Sequence, residues 1–204
     1  ASTVLQYNRA RPEKVFDMHS GMIILLCWLL FFCVWIAAAI GVKHTARRQA
    51  TSSELAYRLP TFVGFVMLFA PEFFPGHTFR AFSESDLTHS IACGICILGL
   101  VIAIWARMTL ARNWSSTVVV KEEQELVERG PYHFVRHPIY TGMILMALGT
   151  ALNRGLDVAL IGLVILTTGF AIKLKQEEKL MTEQFPAQYP PYMTRTKAII
   201  PFVL

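Results

Sequence analysis

Residues 139–174 read IYTGMILMALGTALNRGLDVALIGLVILTTGFAIKL, with two apolar blocks at 139–152 and 156–174 around the polar triplet Asn153-Arg154-Gly155. Because so short a connection joins neighbouring antiparallel helices, the segment predicts a C-terminal helical hairpin. The 14 residues of the first block would span only about 21 Å as a helix. To cross a membrane, this helix therefore has to extend into the flanking residues, or it has to be shielded from lipid by other helices.

Three more apolar blocks precede the hairpin, at 21–42, 59–74 and 89–110. The first has 22 uncharged residues, about 33 Å as a helix, which is enough to cross the hydrocarbon core. It exceeds the roughly 7–15 apolar residues of a signal peptide and follows a polar tail, so we expect it to be retained. The second contains Pro60 and Pro71 and is the least regular. The sequence predicts an all-α polytopic integral membrane protein with about five transmembrane helices.

The composition also favours a membrane protein. Hydrophobic residues make up 54% of the chain and charged residues 16%, whereas about a quarter of a soluble domain is charged. The net charge of +5 does not form a stripe with interleaved aromatic residues, so nucleic acid is not an expected partner. The basic residues lie at the ends of apolar blocks, where they would meet anionic lipid headgroups.

Five spans would divide the 19 lysines and arginines unequally, with 14 on one side. These fourteen are Lys43, Arg47, Arg48, Arg58, Arg107, Arg112, Lys121, Arg129, Arg136, Lys173, Lys175, Lys179, Arg195 and Lys197. Since basic loops stay in the cytoplasm, the N-terminus is predicted outside and the C-terminus inside. We expect the inner membrane of a bacterial or archaeal cell as the location.

Cysteines do not indicate a metal centre. Cys93 and Cys96 have the CxxC spacing of redox and zinc motifs, but the sequence offers no second Cys/His pair. Cys27 and Cys33 also lie inside apolar blocks. We expect neither a metal nor a disulfide, and interpret these cysteines as small residues packed between membrane helices.

Two polar segments lie at the cytoplasmic ends of the predicted hairpin. In residues 125–142, Gly130-Pro131 indicates a turn and Pro138 suits the first turn of the next helix. Arg136 and His137 would then stand at a helix N-terminus, where free amides favour an anionic ligand group.

The second segment, residues 173–180, leaves the fifth span with Lys173 and Glu177 four residues apart on one helix face. Hairpin geometry should bring this segment against Tyr140 and the residues before it. Charges of both signs beside apolar walls are typical of a cofactor and substrate site.

A series of motifs runs through the C-terminal half of the chain. It consists of Leu126-Val127, Gly130-Pro131-Tyr132, Arg136-His137-Pro138-Ile139-Tyr140, Gly142, Glu177-Glu178, Phe185, Tyr189 and Tyr192. This series resembles the isoprenylcysteine carboxyl methyltransferase family, in a short form typical of bacterial or archaeal members. The resemblance covers about residues 114–204, the expected cofactor-binding half of a single domain of residues 1–204.

The resemblance implies a cytoplasm-facing site for S-adenosylmethionine, with Glu177 on its ammonium group and Ile139 lining it through the backbone. By motif position, the cofactor-binding residues would be Gln124, Leu126, Val127, Tyr132, His137, Ile139, Tyr140 and Glu177. Arg136, Lys173 and Glu178 would be catalytic. Gln124 stands where many members have histidine, and Lys173 where the prenylcysteine enzymes have an arginine.

The implied activity is methyl transfer from S-adenosylmethionine to the carboxylate of a lipophilic substrate, prenylcysteine-like or lipid-like, that approaches from the bilayer. A carboxylate is ionised at neutral pH and needs no base, whereas an amine would need His137 or Glu178 to remove a proton. The alternatives are a phospholipid or amine N-methyltransferase, a membrane NADPH-dependent reductase, and a membrane scaffold or transporter subunit. The third lacks support from an inverted repeat.

Simpler interpretations exist for individual residues. Arg136 and His137 could be interfacial residues at the start of a span, and Lys173 with Glu177 an ordinary surface ion pair. Tyr189 and Tyr192 could be anchors in an aromatic belt. The joint pattern favours the site. Membrane lipids and the lipophilic substrate are the expected partners, and the oligomeric state is open.

Overall fold

The computed structural model describes residues 2–39, 45–48, 51–74, 79–81, 85–111, 119–121 and 126–200. The helices in these ranges are α1 (Ser2–Ala39), α2 (Thr51–Phe69), α3 (Asp86–Leu110), α4 (Pro138–Arg154), α5 (Asp157–Gln184) and α6 (Tyr189–Arg195). Two short strands, β1 (Thr45–Arg48) and β2 (Val119–Lys121), form one antiparallel pair. The polytopic helical architecture that the sequence predicts is confirmed.

The predicted hairpin consists of α4 and α5. Pro138 is the first residue of α4, a position where its missing N–H costs no helical hydrogen bond. Gly155 ends α4 in the left-handed conformation, with φ 64°, and its N–H donates to the carbonyl of Ala151 at 3.0 Å. Because glycine adopts this conformation without a side-chain clash, the chain reverses within two residues and enters α5.

Glycines let the helices approach one another closely in two pairs. A side-chain carbon added at Gly142 of α4 would lie 2.5 Å from the carbonyl oxygen of Gly99 in α3. One added at Gly64 of α2 would lie 2.6 Å from the carbonyl oxygen of Gly162 in α5. Such close backbone contact maximises dispersion between helices that lipid would otherwise solvate equally well. The fold therefore contains two tight antiparallel pairs, α3 with α4 and α2 with α5.

An aromatic cluster on α1 joins the two pairs. The Trp28 ring makes edge contacts with Phe65 and Phe69 of α2, with centroids 5.3 and 5.4 Å apart. Its indole N–H donates to the Thr150 hydroxyl of α4 at 3.0 Å. Burying an indole requires such an acceptor, so Thr150 permits the packing.

Three helical stretches are long and apolar enough to cross a membrane: Met18–Ala38, Asp86–Leu110 and Asp157–Gln184. Large apolar side chains such as Phe62, Met108 and Val164 point outward and are more than half exposed. A surface of this kind fits contact with lipid. The predicted second and fourth spans are helices, α2 and α4, but are not among the three. The count of five therefore stays a prediction.

The β1–β2 pair was not predicted from the sequence. It joins the segment after α1 to the segment after α3, with Thr45 opposite Lys121 and Arg48 opposite Val119. Both connections therefore lie on one side of the helices, as the positive-inside argument requires. Which side of a membrane this is stays a prediction.

Candidate functional site

The site lies where the start of α4 meets the last turns of α5. Its entry segment, residues 135–137, is fixed by residues 197–199 after α6. The backbone N–H groups of Arg136 and His137 donate to the carbonyls of Lys197 and Ala198 at 2.8 and 2.9 Å. The Thr141 hydroxyl donates to the Ile199 carbonyl at 2.7 Å. No sequence pattern indicates this contact, because it joins segments about sixty residues apart.

Arg136 connects three parts of the chain. Its Nε donates to Glu178 Oε1 at 2.7 Å, and its Nη1 donates to the carbonyl oxygens of Met193, at 3.2 Å, and Thr196. Both charged side chains are largely buried, so the pair is screened little by water. The guanidinium thereby ties α5 and the residues around α6 to the start of α4.

His137 lies between the two adjacent glutamates of α5. Its Nε2 is 3.2 Å from Glu178 Oε1, and its Nδ1 is 3.7 Å from Glu177 Oε2. Because Glu178 is also held by Arg136, it fixes the imidazole ring from one side. The ring is therefore oriented before any ligand binds.

Glu177 contacts the two remaining donor groups of the network, a hydroxyl and an ammonium group. The Tyr140 hydroxyl donates to its Oε1 at 2.7 Å, and the Lys173 ammonium lies 3.8 Å from the same oxygen. Glu177 is the most exposed carboxylate of the group, with 23% of its side-chain surface accessible. Its carboxylate is therefore oriented by the Tyr140 hydroxyl and stays partly accessible from outside the network.

The Lys173 ammonium lies between two aromatic rings, 5.5 Å from the centroid of Tyr57 and 5.7 Å from that of Tyr140. Both distances are within the range of cation–π attraction. Tyr57 belongs to α2 and was missed at the sequence level. Glu54 and Arg58 flank it four residues apart, a spacing that indicates a helix at this position but not its contact with α5.

A second layer of tyrosines supports the entry segment. The Tyr192 hydroxyl donates to the carbonyl of Tyr132 at 2.6 Å. Burial, with a smaller effect of Glu128, raises the pKa of Tyr192 to about 12, so the hydroxyl stays a donor at neutral pH. Burial also raises the pKa of Tyr132 well above its ordinary value. Tyr189 and Tyr192 are buried, and the aromatic-belt interpretation of them is wrong.

The structure thus brings six of the predicted site residues into one network: Arg136, His137, Tyr140, Lys173, Glu177 and Glu178. Tyr132 is buried close enough for the charge of Glu177 to act on it. Leu126, Val127 and Ile139 are half-buried. Gln124 lies outside the described residues. Which of these residues bind a cofactor or substrate stays a prediction.

Comparison with known proteins identifies the segment that carries this network. The sequence model of the isoprenylcysteine carboxyl methyltransferase family matches residues 91–183. That range contains most of α3, all of α4, the entry segment and nearly all of α5. It excludes α1, α2 and α6.

Curated relatives match about half of the chain. The chain is 32% identical over 116 residues to the protein-S-isoprenylcysteine O-methyltransferase of Saccharomyces cerevisiae, covering 55% of this chain and 48% of that protein. It is 29% identical over 110 residues to protein-S-isoprenylcysteine O-methyltransferase B of Arabidopsis thaliana, covering 52% of this chain and 56% of that one. The chain therefore spans about half the length of the curated relatives it matches.

A solved structure shares the fold. The eukaryotic intramembrane Ras methyltransferase ICMT superposes with a TM-score of 0.51 at 22% identity, over 72% of this chain and 52% of that one. The likeness and the apolar outer surface together show an integral membrane protein. The matched segment carries most of the motif series and the network built from it, and over this segment the chain is similar to the isoprenylcysteine carboxyl methyltransferase family.

Proposed function

We propose that this protein transfers the methyl group of S-adenosylmethionine to the carboxylate of a lipophilic acceptor at the cytoplasmic face of the membrane. The observation that carries the proposal is the joined cluster of His137, Tyr140 and Glu177 beside Lys173. The relatives are named as O-methyltransferases of protein S-isoprenylcysteine, and an oxygen acceptor agrees with methylation of a carboxylate.

The residues present fit the cofactor. Its ammonium group needs a fixed carboxylate that retains some access, and Glu177 has both properties. Its nucleoside needs an apolar wall, which the half-buried Leu126, Val127 and Ile139 could supply. His137 and Tyr132 would complete the proposed contacts. Bound here, S-adenosylmethionine would supply a methyl group on a positively charged sulfur that leaves as a neutral thioether.

The protein's own contribution is positioning. Tyr140 orients Glu177, while Arg136 and Glu178 hold His137 in place. We assign Arg136 and Glu178 to this task, since each already holds the other. An in-line displacement gains most from fixed geometry and from exclusion of water, and the burial of this network provides both.

Lys173 is the residue that favours an anionic acceptor. Its ammonium is largely buried and faces the region beside Glu177. A carboxylate is already ionised at neutral pH, so it would meet this cation without a proton transfer. A protonated amine would be repelled by the same charge.

The test uses the protein in lipid nanodiscs with S-adenosylmethionine labelled in its methyl group and an N-acetylated prenylcysteine. Carboxyl methylation predicts that mild base releases the label as volatile methanol. Lys173→Arg should keep turnover, and Lys173→Glu should abolish it by repelling the acceptor. Lys175→Glu, an exposed change two residues further along α5, is the matched control. Label that resists base, as an N-methyl group would, rejects the carboxylate assignment.

A further inference from the structure

The Tyr57 side chain is buried, with 3% of its surface exposed, and it lies outside the segment that matches the family. Among the described residues, its O–H hydrogen has no acceptor. The neighbouring Arg58 guanidinium acts on the hydroxyl only from the donor side, since a guanidinium cannot accept a hydrogen bond, and it pairs with Glu54 at 2.9 Å. A buried O–H without an acceptor is unfavourable, and phenylalanine would fill the same space without that penalty.

The packing around Tyr57 holds this hydroxyl in place. The Thr61 hydroxyl donates to the Tyr57 carbonyl at 2.7 Å, one turn along α2. Gly169 of α5 packs so closely that an added side-chain carbon would lie 3.0 Å from that carbonyl oxygen. The backbone that carries Tyr57 is therefore fixed against α5, one turn from Lys173.

The surroundings of the ring connect it to the network. The Lys173 ammonium lies 5.5 Å from the Tyr57 ring and 5.7 Å from the Tyr140 ring, and the Tyr140 hydroxyl is occupied by Glu177. Of the two tyrosines that flank the cation, Tyr140 is therefore committed to the carboxylate. Tyr57 retains a donor for a ligand.

We propose that the Tyr57 hydroxyl and the Lys173 ammonium together bind the carboxylate of the methyl acceptor. This assignment rests on the proposed function and deepens it. A phenol O–H donates well to a carboxylate, and hydrogen bonds to charged acceptors are stronger than those between neutral groups. With a lysine beside it, the phenol forms a two-point anchor, because the ammonium contributes charge without the fork of an arginine. Helix α2 thereby supplies half of the acceptor site.

The experiment compares wild type with Tyr57→Phe, which keeps the ring beside Lys173 and removes only the hydroxyl. Binding of an N-acetylated prenylcysteine and of its uncharged carboxamide is measured in nanodiscs, together with binding of S-adenosylmethionine. We expect Tyr57→Phe to weaken binding of the acid about tenfold, as for one lost hydrogen bond to a charged group. The carboxamide should lose much less, the cofactor should bind as before, and the protein should unfold at no lower temperature.

Thr168→Val is the matched control, since it removes an exposed hydroxyl of α5 that donates to the Val164 carbonyl of the same helix. Equal affinity of wild type and Tyr57→Phe for the acid overturns the assignment, and so does an equal loss for acid and carboxamide. If Tyr57→Phe weakens binding of the acid but wild type forms no base-labile ester, the Tyr57 assignment stands and the methyl-transfer proposal fails.

Discussion

At the scale of single residues, the site is organised by adjacent glutamates with different tasks. Glu178 is held by Arg136 and His137, whereas Glu177 takes the Tyr140 hydroxyl and keeps the more exposed position. One carboxylate therefore neutralises a buried cation, and its neighbour is oriented by a hydroxyl while it stays partly accessible. Adjacent positions on a helix point about 100° apart, which is why two identical side chains can face such different partners.

We expect His137→Ala and Glu177→Ala each to weaken S-adenosylmethionine binding by about 1–3 kcal/mol, the contribution of a hydrogen bond with a charged or buried partner. Isothermal titration calorimetry of the purified protein measures this directly. Lys179→Ala, an exposed change on the same helix, serves as the control. Unchanged affinity in both variants would remove these residues from the cofactor site.

Arg136→Gln should lower the free energy of unfolding by roughly 3 kcal/mol, because it leaves Glu178 partly buried without its cation. Arg195→Gln is the comparison, since Arg195 pairs with Glu128 in a more open place, where the side chains are 55% and 35% exposed. Such a surface pair contributes about 0–1 kcal/mol. Chemical denaturation in detergent separates the two values, and equal losses would contradict the structural task assigned to Arg136.

At the scale of elements, the site depends on how closely α4 approaches α3. Gly99 and Gly142 face each other, and Gly142 lies two residues after Tyr140. A shift of α4 would therefore displace Tyr140 from Glu177 as well as open the helix interface. Packing of small residues thus determines the geometry of the network and not only the stability of the bundle.

Gly99→Ala should lower stability by about 1–3 kcal/mol, because its new methyl group would meet the Gly142 carbonyl at 2.5 Å. Gly94→Ala, on the same helix, has open space around the added carbon and should be neutral or slightly stabilising. Thermal unfolding of both variants measures the difference. Equal melting temperatures would show that the α3–α4 contact is less tight than described.

At the scale of the whole molecule, the helices alternate in direction, and the segments that form the candidate site lie at one end of the bundle. The entry segment, the last turns of α5, the start of α2 and the β1–β2 pair all lie there. The opposite end holds the hairpin turn, where the backbone N–H of Ala81 donates to the carbonyl of Gly155 at 2.9 Å. The positive-inside argument assigns the first end to the cytoplasm.

Single cysteines placed in a background without the four native ones test this orientation. Reporters at Arg48→Cys and Lys121→Cys should react with a membrane-impermeant thiol reagent only after the membrane is opened. Reporters at Arg80→Cys and Arg154→Cys should react in intact cells. Labelling of the first two from outside would reverse the orientation, and labelling of one reporter of either pair alone would contradict the five-span topology.

The sequence by itself determined the helices, the hairpin and most of the network. Residues 139–174 predicted two helices and a reversal, because long apolar blocks have to satisfy their backbone internally and Gly155 permits the turn. Hairpin geometry then placed Glu177 and Glu178 opposite residues 136–140. Sequence patterns within the hairpin were enough for this prediction, because residues 136–140 and the two glutamates lie at the ends of two helices that one short turn joins.

Only the tertiary structure decided which distant segments complete the site. Tyr57 reaches Lys173, more than a hundred residues away in sequence, because α2 packs along α5 through Gly64 and Gly162. Residues 197–199 reach the entry segment through backbone hydrogen bonds, which any sequence can form and no side-chain pattern announces. Contacts of this kind depend on the summed packing of all the helices, and no single stretch of sequence encodes them.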